Sequence, residues 1–245
     1  MLRILSLVAL LAIWSIASHF TQPRLLPPPG AVLAAIGQEA LSGHLFRDLG
    51  ATLARVAVSF ALAMVLGTGL GVAMGRNRAV DRIGDPWLVV LLNLPALIII
   101  VLAFIWIGLT EAATVAAVAL NKLPNTTATI REGARALDTK LEEMASVFQM
   151  PWRTRLRHVV LPQLAPYIAA ATRSGLSLVW KIVLVAELIG RSNGIGFEIG
   201  VAFQLFDVKL LFAYALPFVA IMLAIETFLV QPFERHVSRW RPRIR

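Results

Sequence analysis

Ser174, Ser177 and Lys181 recur at i, i+3 and i+7 inside an apolar run, so a helix sets them on one face, with Arg173 beside it. Charges at membrane depth are costly and usually face a cavity or a partner. Two cations and two hydroxyls on one stripe therefore suit an anionic ligand. The competing reading is internal pairing of Lys181 or Arg173 with Glu187, Glu226 or a backbone carbonyl. Lys122 and Asn93 are further polar candidates in neighbouring apolar runs, while Asn121 and Asn125 are the kind of residue that bridges helices. Glu187 is expected to fix the turn around Gly190–Gly196.

Covalent and metal chemistry find little support. The chain has no cysteine, and His19, His44, His158 and His236 are far apart, so no metal site is expected. No carboxylate pair, elbow serine or His-x-x-Glu-His pattern marks a catalytic centre. Asp81, Asp85 and Asp138 sit among arginines and read as ion pairs or helix caps. Gly67, Gly71 and Gly75, with Gly69 between, have a nucleotide-fingerprint look, but they lie inside an apolar helix pattern, where small residues serve close helix packing. No G-x-x-x-x-G-K-[ST] pattern occurs, so P-loop hydrolysis of ATP is excluded for this chain alone.

The elements that position these residues are apolar. Of 245 residues, 58% are hydrophobic and 15% charged, a balance that excludes disorder and points to a membrane bundle. Six spans are expected: Ile4–Phe20, Thr52–Met74, Pro86–Leu109, Ala112–Ile130, Tyr167–Gly190 and Leu210–Val230, together forming one transmembrane domain over residues 1–245. The first resembles a signal peptide and is read as a retained anchor. The excess of 23 Lys+Arg over 14 Asp+Glu has a plainer reading than nucleic-acid binding: positive residues gather in cytoplasmic loops. Arg76, Arg78 and Arg82, the arginines of the insert Arg131–Pro166, and Arg235, Arg239, Arg241, Arg243 and Arg245 in the tail Gln231–Arg245 join Arg3 on one side. Arg24, Arg47, Arg191 and Lys209 fall on the other, with Arg55 near a boundary. Both termini and the insert are thus expected in the cytoplasm. Leu26-Pro27-Pro28-Pro29-Gly30 leads stiffly into a short outer helix near Ala31–Leu45.

The insert is the one long polar segment between spans. Leu141, Met144, Ala145 and Phe148 form an apolar stripe at helical spacing, with Glu142, Glu143, Ser146 and Gln149 opposite. The pattern predicts a helix over 140–148 with its apolar face on the protein and its acidic face wet. Pro151 suits the first position of a second helix, whose Trp152 and Leu156 are apolar and whose Arg153, Arg155 and Arg157 are basic. Pro162 and Pro166 are expected to break that helix and steer the chain into the fifth span. The product is a compact aromatic and basic knob for a soluble partner. An interfacial helix lying on lipid is the alternative, but Glu142 and Glu143 would be repelled by anionic headgroups.

These residues carry a resemblance. Glu143-Met144-Ala145 followed by Val159-Val160-Leu161-Pro162 resembles the EAA loop of ABC importer permeases, E-A-A, three residues, G, then I-x-L-P. Leu26-Pro27-Pro28-Pro29, Gly133 to Asp138, Arg157 to Pro162, Pro166-Tyr167-Ile168 and Val185 to Gly196 extend it to the permeases of nitrate, sulfonate and taurine importers. The resemblance implies an all-α membrane protein, a six-helix bundle of the type I importer kind, with a coupling helix between spans four and five. Glu143, Ala145, Gln149, Pro151, Trp152, Arg153, Arg155, Leu161 and Pro162 would contact an ABC ATPase that binds the ATP and Mg; this chain would bind no cofactor and would not be an enzyme. Two copies would form the pore in a bacterial inner membrane. A periplasmic binding protein would deliver a small anion at loops around Gly30–Asp48 and Arg191–Val208. Arg173, Ser174, Ser177, Lys181 and Lys122 would line the pathway. Gln149 departs from the pattern, standing where the family has Gly; because Gln adopts φ > 0 at a cost, the turn is expected to be right-handed or made by Pro151. A secondary transporter would call for internal repeats, and a membrane-embedded enzyme for a catalytic constellation; neither is visible.

Overall fold

The structure, a computed structural model, describes residues 2–238, all of them in helices or the short connections between them. Arg239, Arg241, Arg243 and Arg245 of the basic tail lie outside the described residues, as does the side chain of Arg3. The order is α1 (Leu2–Phe20), α2 (Pro29–Leu41), α3 (His44–Arg76), α4 (Arg78–Asn93), α5 (Ala96–Ile107), α6 (Glu111–Arg135), α7 (Thr139–Val147), α8 (Trp152–Arg155), α9 (Leu161–Gly190), α10 (Ile195–Gln204), α11 (Val208–Ile225) and α12 (Gln231–Ser238). Two wide π turns, Leu156–Val160 and Glu226–Val230, join α8 to α9 and α11 to α12.

The chain forms two compact units, one of Met1–Arg55 with Val183–Leu223, the other of Val56–Ile182 with Ala224–Arg245. Three helices are long and apolar enough to cross a membrane: His44–Arg76, Trp152–Gly190 and Val208–Arg235. The pair α4 and α5 makes a fourth if counted as one bent span. Helix α1 is 19 residues long. In α6 the length of 25 residues suffices, but Asn121, Lys122 and Asn125 lower its apolar character.

Two expectations about helix continuity are corrected. Pro86–Leu109, expected as one span, is two helices that meet between Asn93 and Ala96 with a bend of 99°. Pro95 supplies no N–H and forces Leu94 into an extended conformation (φ −74°, ψ 125°), so the helix ends at Asn93, two residues before the proline. Conversely, Pro162 and Pro166 do not break anything: one helical path runs from Trp152 to Gly190, 39 residues. The π turn before Pro162 takes up the mismatch, the Leu161 N–H donating to the Leu156 carbonyl five residues back. The Gln163 side chain adds a donor to the Val159 carbonyl at 2.9 Å.

In the second unit, α3 lies close on α6 through the glycine ladder. A Cβ at Gly67, Gly71 or Gly75 would meet Thr126, Ile130 or Ala134 at 2.7, 2.7 and 2.5 Å, and only a bare Cα lets the backbones approach this far. Below the ladder, Ala134, Leu137 and Leu164 form a small apolar core with Val72, Val160 and Ile168 around it. This core seats the end of α6 and the start of α9, the two elements between which the polar insert is strung.

Candidate functional site

The insert begins with a capped helix. The Asp138 carboxylate accepts from the Lys140 N–H at 2.8 Å, and the Asp138 N–H donates to Gln163 Oε1 at 2.8 Å. The helix closes in a Schellman turn: Met150 N–H to the Ala145 carbonyl and Gln149 N–H to the Ser146 carbonyl, both 3.0 Å. Gln149 itself takes φ +47°. The right-handed turn expected from a non-glycine residue is therefore wrong. Two carbonyl bonds offset a left-handed cost of about 1–2 kcal/mol, and Pro151 biases Met150 toward the extended backbone that leaves the turn. Pro151 caps the next helix rather than opening it, at φ −54° and ψ 145°.

The helix is also rotated from its expected orientation, although Ala145 is buried and Glu143, Ser146 and Gln149 are exposed as expected. Glu142, assigned to the wet side, turns inward, its side chain 13% exposed. Its Oε2 accepts from Arg76 Nη2 at 2.7 Å, Arg76 Nη1 lies 2.6 Å from Oε1, and Arg155 stands 3.8 Å away. Ala145 beside it is fully buried, where α7 packs on the π turn. The rest of the apolar stripe is left outside: Leu141, Met144 and Phe148 are exposed, with Val147 and Trp152. A charge-assisted contact to the end of α3 outweighs partial burial of three flexible apolar side chains. Glu143, Gln149, Pro151 and Arg153 are exposed in the same stretch, and Arg153 lies over the Trp152 ring at 5.4 Å. Leu161 and Pro162 are exposed two turns farther on, and Arg155 is half-buried. Nearby, Arg131 bonds Asp85 at 2.5 Å and Asp81 at 3.4 Å. The Asp85 bond holds this guanidinium above its ordinary proton affinity.

The membrane stripe resolves into a cavity of about 460 Å³ in the second unit. Ser174, Ser177 and Lys181 of α9 line it together with Asn121 and Asn125 of α6, and Leu94 at the α4–α5 bend forms part of the wall. Ser177 Oγ donates to the Ser174 carbonyl at 3.1 Å and Ser174 Oγ to the Ala171 carbonyl at 3.4 Å, leaving hydroxyl lone pairs on the helix surface. Lys181 Nζ lies 5.5 Å from the Trp180 ring centre. Arg173 and Lys122, expected on the same pathway, are not among the lining residues. Arg173 bonds Glu234 at 3.0 Å and approaches Glu226 at 3.9 Å, which is the internal pairing weighed against a pathway role. Lys122 is 1% exposed; its Cε occupies the space a Cβ at Gly175 would need. Asn93 turns back on its own helix, donating to the Val89 carbonyl at 2.8 Å. Asn121 and Asn125 were readable only as helix bridges; their spacing of four, beside a serine–lysine stripe, was the available signal.

A third cluster, in the first unit, is a buried polar network. Arg55 Nη1 donates to Glu187 Oε1 at 2.6 Å, with both side chains almost wholly buried. Glu187 Oε2 accepts from Thr52 at 2.9 Å and from the Gly196 N–H at 2.8 Å. Arg55 also reaches the Asn193 carbonyl at 2.9 Å, and buried Asp48 accepts the Gly194 N–H at 2.9 Å. Glu187 thus holds the Gly190–Gly196 turn as expected, but its cationic partner was missed: Arg55 had been read only as a residue near a span boundary. Gly194 sits at φ +108° with Arg55 and Glu187 atoms 2.6 Å from where a Cβ would stand, so the turn needs glycine both for its backbone and for its space.

A family model described as "Binding-protein-dependent transport system inner membrane component" matches residues 63–240. The putative aliphatic sulfonates transport permease protein SsuC of Bacillus subtilis (strain 168) is 30% identical over 95% of this chain and 84% of its own length. The taurine transport system permease protein TauC of Escherichia coli (strain K12) is 27% identical over 98% of this chain and 89% of its own. Among solved structures, the inward-facing MetNI methionine ABC transporter superposes with a TM-score of 0.68 at 19% identity, covering 82% of this chain and 99% of that one; this likeness shows the fold.

Removing one partner of the buried pair leaves an uncompensated charge. Glu187→Ala is expected to cost about 3–5 kcal/mol, read as a large fall in the thermal midpoint of the detergent-solubilised protein; a midpoint within a degree of the parent would refute the role. Gln149→Gly should hold or raise that midpoint, because glycine occupies φ > 0 without strain, whereas β-branched Gln149→Val should lower it. Equal midpoints for the two variants would mean the left-handed turn is not formed.

Proposed function

The chain belongs to the family of binding-protein-dependent transport system inner membrane components, and from that premise we propose how its residues divide the work of an importer. Members of the family are permease subunits of ABC importers: multi-pass inner-membrane proteins that work with a separate ATPase and a substrate-binding protein. Two copies of this chain form the translocation pore, with both termini and the insert in the cytoplasm. ATP and Mg are held by the ATPase, and the permease binds neither. In contact with that ATPase are Glu143, Gln149, Pro151, Trp152, Arg153 and Arg155, together with the exposed apolar stripe of α7, while buried Ala145 lets that helix sit close. Leu161 and Pro162 follow on the same helical path.

That path supplies the mechanical link. Trp152 at its start belongs to the docking stretch, and Ser174, Ser177 and Lys181 farther along it line the cavity. A push on the insert by the closing ATPase pair is transmitted along one helical path that runs on past both prolines. Rigid helices answer such a push by rocking as bodies, which alternates access to the cavity.

The cavity carries the substrate reading. Polar side chains open to the outside of a single chain at membrane depth are costly against lipid, so they are read as facing a wet passage between two copies. One ammonium, two hydroxyls and two amides offer donors to an oxyanion, and the leucine walls accept a short aliphatic part. A small sulfonate or a similar oxyanion is the substrate class we assign, in keeping with the names of the relatives. Replacing Lys181 by Met is expected to lower uptake of an aliphatic sulfonate into proteoliposomes, reconstituted with the ATPase and the binding protein, by tenfold or more (on the order of one charge-assisted hydrogen bond,). Co-purification of the ATPase should be unchanged. Uptake at the parental rate would return Lys181 to a structural role.

A further inference from the structure

A second cavity lies in the first unit, at the end of α1 and the start of α11, where it borders the loops expected to face the binding protein. Its floor is the segment after α1: Leu25 N–H closes a turn on the Gln22 carbonyl at 2.9 Å, and Trp14 Nε1 holds the Pro27 carbonyl at 3.1 Å while its ring packs 5.5 Å from that of Phe212 in α11. Its other side is the corner between α10 and α11. There Phe206 takes φ +54°, the Asp207 N–H bonds the Ala202 carbonyl at 2.9 Å, and the Asp207 carboxylate caps α11 through the Leu210 N–H at 3.0 Å.

The space between has two compartments of opposite character. The first, about 470 Å³, has Arg24 and Lys209 in its wall, together with the capping carboxylate of Asp207. The second, about 420 Å³, is apolar but for Gln22 and Arg24, with Leu25, Ala202, Phe203 and Leu211 in its wall. Arg24, Phe206 and Val208 belong to both, so the two are adjacent. Neither Arg24 nor Lys209 has an ion-pair partner among the described residues. Phe203 and Phe206, 6.3 Å apart between ring centres, are 68% and 83% exposed. That much uncovered aromatic surface beside two unpaired cations asks for a ligand that is anionic at one end and hydrocarbon at the other.

We propose that this double cavity binds one anionic phospholipid per chain, its phosphate between Arg24 and Lys209 and an acyl chain along Leu25, Phe203 and Leu211. The position favours lipid over any other amphiphile. The apolar run of α1 ends at Phe20 and that of α11 begins at Val208, so Arg24 and Lys209 stand where hydrocarbon gives way to headgroups. Basic side chains there attract anionic lipid, and aromatic rings settle at the same level. A free phosphate ion would leave the apolar compartment unused.

The test is a native mass-spectrometry titration of the purified permease–ATPase complex with phosphatidylglycerol and with phosphatidylcholine of the same acyl chains. The parent is expected to retain one phosphatidylglycerol per permease chain in preference to phosphatidylcholine. The double variant Arg24→Gln/Lys209→Gln should bind phosphatidylglycerol about tenfold more weakly or worse, with phosphatidylcholine binding and ATPase association unchanged as proof of folding. Phe206→Gly, which relaxes the backbone and removes the shared ring, should weaken both lipids. Unaltered phosphatidylglycerol affinity in the double variant overturns the proposal. So does a double variant that keeps its lipid but loses stimulation by the binding protein, since the surface then serves that partner instead.

Discussion

A single buried ion pair, Arg55 with Glu187, joins the two longest helical paths of the molecule, α3 and the Trp152–Gly190 helix. Neither charge sees solvent, so each is stable only because the other is there and because Thr52, Asn193 and the Gly196 N–H complete their bonds. The loop that follows Glu187 inherits its shape from this pair. Gly194 is bound by Asp48, Ile195 by Thr52 at 2.8 Å and Gly196 by Glu187, which together start α10. In an apolar molecule that packs mostly by small residues, such a network fixes register in a way that non-directional contacts do not.

The same electrostatic preference shapes the polar insert, with the opposite consequence. Drawing Glu142 toward Arg76 rotates α7 so that Ala145 is covered and its larger apolar neighbours are not. Left alone, that face is a defect: Val147, Phe148 and Trp152 are each at least 70% exposed. With the ATPase docked here, as proposed, the face is covered, and the Schellman turn at Gln149 leads from it into the Trp152 helix. The strain in that turn is small beside the docking energy such a face can supply.

Much of this was legible in the amino-acid sequence. The apolar runs announced a membrane bundle, the Gly67–Gly71–Gly75 ladder announced close helix packing, and the spacing of Ser174, Ser177 and Lys181 announced a shared face. What escaped was contact between distant residues. Arg55 and Glu187 are 132 positions apart, and Arg76 and Glu142 are 66 apart, so neither periodicity nor composition could pair them. Lys122 looked like a pathway cation because its inward turn depends on a notch at Gly175 in another helix. Backbone chemistry misled in both directions. Pro95 broke a run that hydropathy joined, while Pro162 sat in a helix behind a π turn that took up its missing donor, and Pro166 was carried inside α9. Gln149 took the glycine conformation because two hydrogen bonds and a following proline made it the least costly way out of the helix.

The central claim is that the outward apolar face of α7 is the surface that receives the ATPase. The chain has no native cysteine, so Phe148→Cys provides a single reporter thiol. Its rate of labelling by a bulky water-soluble maleimide should be fast in the permease alone and fall by an order of magnitude or more when the cognate ATPase is bound. Labelling at the same rate with and without bound ATPase would contradict the account.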